Sequence, residues 1–280
     1  MSYIVVPQWY GVCKKGTDAG TLRMAQFFER EGDDEYSRVS VPDVAIGNDG
    51  LMPYFPVIDD VNRALCKDVS SALSVGNKVI VLGGDHSVSW GSIAGALEYN
   101  PEIGIIYLDA HGDCNIAERS PSHHVHGMHM AYLMGFGYNE YVGRYTENIL
   151  PFQNILYVGV RSLDPYEVEL INRLGIARVS SDFINSNVND SLEKVSGFMS
   201  RFKQIHVSLD IDVLDPSIAP GTGVPEACGI SEESLYKLLN LILNRDKVHS
   251  ADLVEYNLLC DKDGRTDIVV RSLVKRLSRL

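Results

Sequence analysis

Short apolar runs that alternate with helix-patterned segments constrain this chain more than any other feature of its sequence. Residues 3–6, 78–82, 103–108, 155–160, 205–209 and 250–254 are dominated by Val, Ile and Leu and are short enough to be buried strands. Between them, residues 57–74, 165–174, 192–202 and 232–243 repeat apolar side chains at helical spacing. Ser231, ahead of Glu232 and Glu233, reads as an N-cap with acidic residues in the first turn. Strand–helix alternation predicts a three-layer α/β fold: a doubly wound, mainly parallel sheet covered by helices on both faces. At 280 residues the chain suits one large α/β domain and is short for two separate cores. No repeat, low-complexity tract or linker divides it, so residues 1–280 read as one domain.

Composition excludes several function classes. A net charge of -12 argues against nucleic acid as a partner and is compatible with a small cationic substrate. No run approaches the ~20 apolar residues needed to cross a bilayer. The N-terminal Met-Ser-Tyr-Ile-Val-Val-Pro lacks the basic and apolar regions of a signal peptide. Five scattered cysteines, an odd number without paired spacing, point to reduced thiols and a cytoplasmic setting.

Where the apolar runs end, carboxylates and histidines gather. Residues 103–108 lead into Asp109-Ala-His111-Gly-Asp113, and residues 205–209 into Asp210-Ile-Asp212. A third run reaches His86 after Gly83 and Gly84, which permit a sharp turn. In extended backbone, alternate residues face the same side, so Asp109, His111 and Asp113 are expected to converge, as are Asp210 and Asp212. Aspartates crowded at the end of apolar strands repel one another unless protonated or paired with cations. Two divalent ions would cancel the four carboxylates. Mixed oxygen and imidazole donors suit Mn, Fe, Co, Zn or Ni better than Ca or Mg. No cysteine joins the set, which argues against a structural zinc site. A lone Asp-x-Asp commonly just ends a strand or caps a turn; four Asp and two His at three strand ends instead describe a site for two divalent cations. The loops at 120–126 and 215–230 follow these strand ends, where open α/β sheets bind ligands.

These blocks resemble the ureohydrolases, the family of arginases, agmatinases and formiminoglutamases. The matching stretches are Gly-Gly-Asp-His-Ser at 83–87, Asp-Ala-His-Gly-Asp at 109–113, Ser-Leu-Asp-Ile-Asp-Val-Leu-Asp-Pro at 208–216 and Ala-Pro-Gly-Thr-Gly at 219–223. The resemblance spans most of the chain and implies two Mn²⁺ ions. His86, Asp109, Asp113 and Asp210 would hold one; His111, Asp109, Asp210 and Asp212 would hold the other, with Asp109 and Asp210 bridging. It also implies that Glu255 holds the guanidinium, that His126 protonates the leaving amine and that Asp212 takes the proton of the nucleophile. Asn115 and Ser122 would meet an α-carboxylate and Asp164 an α-amino group, although Asp164 before Pro165 also fits a helix N-cap.

The thirteen-residue step from Asp113 to His126 is similar to that of arginases. The expected reaction is therefore L-arginine plus water giving L-ornithine and urea. Agmatine, guanidinobutyrate and formiminoglutamate are the alternative substrates, and a catalytically silent metal-binding protein of the same fold is the rival outside enzymes. The family further implies a homo-oligomer, a trimer or hexamer. Departures from the arginase pattern are Gly112, Cys114, Ser162, Val224 and the absence of Gly-Pro near Gly16. Gly112 and Cys114 are expected to face away from the cations, with Cys114 a buried structural cysteine.

Overall fold

The computed structural model describes residues 1–29, 36–44, 50–244 and 246–280. Its strands are β1 (Ser2–Val6), β2 (Tyr36–Arg38), β3 (Val79–Gly83), β4 (Gly104–Leu108), β5 (Ile155–Gly159), β6 (Ala177–Ser180), β7 (Ile205–Asp210) and β8 (Val248–Val254). The helices are α1 (Thr17–Glu29), α2 (Phe55–Ser74), α3 (Ser89–Tyr99), α4 (His129–Leu133), α5 (Pro165–Leu174), α6 (Ser181–Ser186), α7 (Val188–Ser200), α8 (Glu232–Leu243) and α9 (Arg265–Leu277). All eight strands join one parallel sheet in the order β2-β1-β3-β8-β7-β4-β5-β6.

The apolar runs are near-continuous because both faces of the sheet are covered. Ile4, Val6, Val79, Val81, Ile105 and Tyr157 point to a core shared with α2 and α3. Their neighbours Tyr3, Val5, Ile80, Leu82, Ile106 and Val158 point to the opposite core, with α1, α7, α8 and α9. That period-2 division is what parallel strands between helical layers require, so the fold is the doubly wound one expected.

Consecutive strands β3 and β4 are separated in the sheet by β8 and β7. The C-terminal ends of these four central strands therefore form one continuous rim, although His86, Asp109, Asp210 and Glu255 lie far apart in sequence. Gly84 is needed there for close approach rather than for a left-handed turn. It does not have positive φ, and a Cβ would collide with the backbone of Gln8. Asp164 is the N-cap residue of α5, with Pro165 following it, and its N–H donates to Glu167 Oε2 at 2.9 Å. Ser231 caps α8 by accepting from the Ser234 N–H at 3.2 Å.

Candidate metal centre

The carboxylates converge, but not by strand alternation. β4 stops at Leu108, and residues 109–113 form an irregular loop. Asp109 Oδ1 accepts the His111 N–H at 2.7 Å, and Asp113 lies in the left-handed region at φ 46°. On β7, Asp210 Oδ1 accepts the Asp212 N–H at 2.7 Å and opens a one-turn 3₁₀ segment, Ile211–Val213. Asp212 Oδ1 in turn accepts the Ala110 N–H at 3.1 Å, stitching the two strand ends together. Asp210 and Asp212 thus cap the backbone with one oxygen and present the other to a histidine, while Asp109 Oδ1 does both. Turn chemistry does the work that extended pleating was expected to do.

Two donor groups result. His86 Nδ1 lies 2.8 Å from Asp109 Oδ2, 3.0 Å from Asp113 Oδ2 and 3.1 Å from Asp210 Oδ2. His111 Nδ1 lies 3.0 Å from Asp212 Oδ2 and 3.4 Å from Asp109 Oδ1. Asp109 offers one oxygen to each group, the geometry of a bridge. Asp210 reaches the first group, while its other oxygen is occupied by the Asp212 amide. Asp109, Asp113, Asp210, Asp212 and His86 are buried, and His111 is half-buried.

The electrostatics of the two groups favour bound cations. One imidazole N–H cannot satisfy three carboxylate oxygens, and the buried Asp109 Oδ2 has no aligned hydrogen-bond partner. Burial, then Asp212 and Asp109, push the Asp210 carboxyl well above its ordinary range. Burial depresses the His86 and His111 imidazoles, but the surrounding aspartates outweigh it and hold both well above 6.5. A site with this surplus of negative charge, built from oxygen and imidazole donors, fits two divalent transition-metal ions.

Beside it, Glu255 follows β8 with φ 65° and donates its N–H to the Gly84 carbonyl at 2.7 Å. Its Oε1 accepts the His86 N–H at 2.8 Å and lies 3.2 Å from His126 Nδ1, while the buried Oε2 has no partner. His126 sits in the 3₁₀ turn Val125–Gly127, its imidazole pushed down by burial but raised overall by Glu255.

A pocket opens over the centre, lined by His111, Asp113, Asn115, Ser122, His126 and Asp164, all singled out by the sequence. Asn115 Nδ2 donates to Asp164 Oδ2 at 2.8 Å. Ser122 Oγ accepts the His124 N–H at 3.2 Å. His124, Glu167 and Glu226 also line the pocket, and sequence reasoning missed them. His124 stands with His123 and His126 in a histidine-rich stretch that could have signalled it, whereas Glu167 was hidden as an ordinary first-turn glutamate. Cys114 is fully buried, its thiol pushed well up by burial and then by Glu167. A Cβ at Gly112 would lie 2.8 Å from Leu163 Cδ2, so a side chain there requires that leucine to shift.

The sequence model of the arginase family matches residues 4–278. The chain belongs to the arginase family. It is 32% identical to the arginase of Bacillus caldovelox, over 99% of this chain and 97% of that protein. The structure of Entamoeba histolytica arginase in complex with L-ornithine superposes with a TM-score of 0.90 at 28% identity, covering 98% of this chain and 96% of that one. The formimidoylglutamase of Bacillus subtilis shares the fold, with a TM-score of 0.80 at 17% identity over 99% of this chain and 86% of the other. This arginase-family protein is a metal-dependent hydrolase of the amidinohydrolase type. No helix among the described residues is long and apolar enough to cross a membrane.

Proposed function

We propose that the protein hydrolyses L-arginine to L-ornithine and urea, with Mn²⁺ at both positions of the centre. The observation that carries this reading is Glu255. Two contacts fix its Oε1, which leaves a buried, unpartnered Oε2 beside the carboxylate–imidazole groups. A flat cation with several N–H donors satisfies such an oxygen better than a neutral ligand does. When bound, two divalent cations acidify water into a nucleophile at neutral pH. In this reading His86, Asp109, Asp113 and Asp210 would hold one cation, and His111, Asp109 and Asp212 would hold the other.

Glu255 orients the guanidinium, Asp212 takes the proton released by the nucleophile, and His126 protonates the departing amine of ornithine. Asn115 and Ser122 receive the α-carboxylate and Asp164 the α-amino group. All three line the pocket over the centre, and Asn115 touches Asp164, which supports that division. A cytoplasmic homo-oligomer, trimeric or hexameric, belongs to the same proposal and is checked by sedimentation.

The test is a panel of arginine, agmatine, guanidinobutyrate and formiminoglutamate with the Mn²⁺-loaded protein, scoring every product. Arginine should give the highest kcat/KM, because agmatine leaves the carboxylate donors unpaired. Asn115→Ala should raise KM for arginine and leave agmatine nearly unchanged. A clear preference for another member of the panel would replace arginine with that substrate.

A further inference from the structure

We propose that Tyr107, backed by His129, is the positioning residue that fixes Asp113 within the first carboxylate–imidazole group. This rests on the two-cation reading above. Tyr107 is fully buried on β4, and its hydroxyl donates to Asp113 Oδ2 at 2.6 Å. The Tyr107 hydroxyl oxygen also lies 3.1 Å from His129 Nε2 and 3.2 Å from His86 Nδ1. Its ring stacks on His86 with centroids 4.8 Å apart and planes within 5°. One side chain therefore lies flat against one cation-facing residue while gripping the carboxylate of another. His129, fully buried at the start of α4, continues the contact: its Nδ1 lies 2.9 Å from the His126 carbonyl.

Asp113 needs such support. A non-glycine residue at φ 46° holds that conformation only where its surroundings determine it. Met130 donates its N–H to the Asp113 carbonyl at 2.9 Å. Tyr157, paired with Tyr107 across β4 and β5, donates its hydroxyl to the Gly112 carbonyl at 2.7 Å. These contacts set the backbone, and Tyr107 sets the carboxylate.

His86, Asp113 and His129 are also close enough together to hold an ion of their own. The Tyr107 hydroxyl already stands within 3.2 Å of all three. It fills the space an ion would need at about 2.0–2.3 Å from each donor. His129 therefore acts through Tyr107 and is not a ligand.

Tyr107→Phe removes the hydroxyl alone. Mn²⁺ is titrated into metal-stripped wild type and variant, followed by calorimetry and by the electron paramagnetic resonance signal of paired ions. The wild type is expected to bind two ions. The variant should keep one near wild-type affinity and bind the other about 10–100-fold more weakly, as outer contacts to metal ligands usually do. Its lost kcat should return as Mn²⁺ is raised. His129→Leu, which spares the hydroxyl, should weaken the same ion by less, and it carries the test if Tyr107→Phe does not fold. A purely structural role would lower the melting temperature without separating the two affinities. A folded Tyr107→Phe that binds both ions as the wild type does, or a His129→Leu with unaltered affinities where the first variant fails, overturns the inference and leaves the cation centre standing. A wild type that takes up no ion overturns the cation reading, and this inference with it.

Discussion

Glu255 commits one of its two oxygens to structure and leaves the other open. Oε1 accepts the His86 N–H and faces His126, whereas Oε2 is buried without a partner. Glu255→Gln should therefore fold, because an amide oxygen still accepts the His86 N–H. It would place an NH₂ group where a cationic substrate needs an anion. Losing a charge-assisted hydrogen bond of ~1.5–3 kcal/mol corresponds to a fall in kcat/KM on the order of 10²-fold. Steady-state kinetics on samples of verified metal content check this, and an unchanged kcat/KM would remove Glu255 from the substrate site. At this scale the sequence was readable wherever residue type alone announces chemistry, as it does for Asp109, His111 and Asp210. Tyr107 was not readable, because a tyrosine inside an apolar strand looks like core. His129 was hidden among neighbouring histidines, and only the fold separates its buried ring from the pocket-facing His126.

Arg161, two residues after β5, shapes the pocket without lining it. Arg161 donates from Nε to the Ala227 carbonyl at 2.8 Å and from Nη2 to the Asp212 and Glu226 carbonyls at 2.8 and 2.7 Å. One guanidinium thus pins both ends of the long 215–230 loop, which carries Val224 and Glu226 on the pocket wall. Lysine offers a compact charge with no planar fork and cannot span the same carbonyls. Arg161→Lys should raise KM roughly 10-fold, the equivalent of ~1.4 kcal/mol of lost hydrogen bonding, with a smaller effect on kcat. It should also expose residues 215–230 to limited proteolysis. Equal kinetics and equal cleavage would mean that the loop holds itself.

Sequence patterning stopped at the edge strands and at the most buried helix. β2 has three residues with little burial, and β6 buries only Val179. Edge strands this short carry no apolar run to detect. α3 is buried almost throughout, so it lacks the polar face that betrays a surface helix, and Gly91 and Gly95 dilute its pattern further. Those glycines serve packing: Cβ atoms there would meet the Asn62 and Cys66 carbonyls of α2.

For the whole molecule, the central question is what offsets four buried carboxylates at the rim of the sheet. The β3-β8-β7-β4 order brings Asp109, Asp113, Asp210 and Asp212 together where solvent does not screen them. The charge cost is borne by the entire fold, because the strands that carry these residues are its centre. An ion present at a hundred times its Kd stabilises by ~2.7 kcal/mol, so two such ions contribute about 5 kcal/mol. At roughly 2–4 °C per kcal/mol, that is a melting shift on the order of 10–20 °C. Without ions the loss is partly relieved, because the His86 and His111 imidazoles are raised by their aspartates and can carry positive charge. The shift should accordingly fall toward the lower end of that range. Dialysis against a chelator should lower the melting temperature and abolish hydrolysis, and Mn²⁺ should restore both. Sodium chloride at high concentration should not substitute, since monovalent screening acts on exposed charge and these groups are buried. Mg²⁺ should restore less than Mn²⁺, because two of the donors are imidazoles. Calorimetry with parallel metal analysis decides the matter: protein shown to be metal-free that melts and hydrolyses as before has no use for two cations, and the charge argument fails for the whole fold.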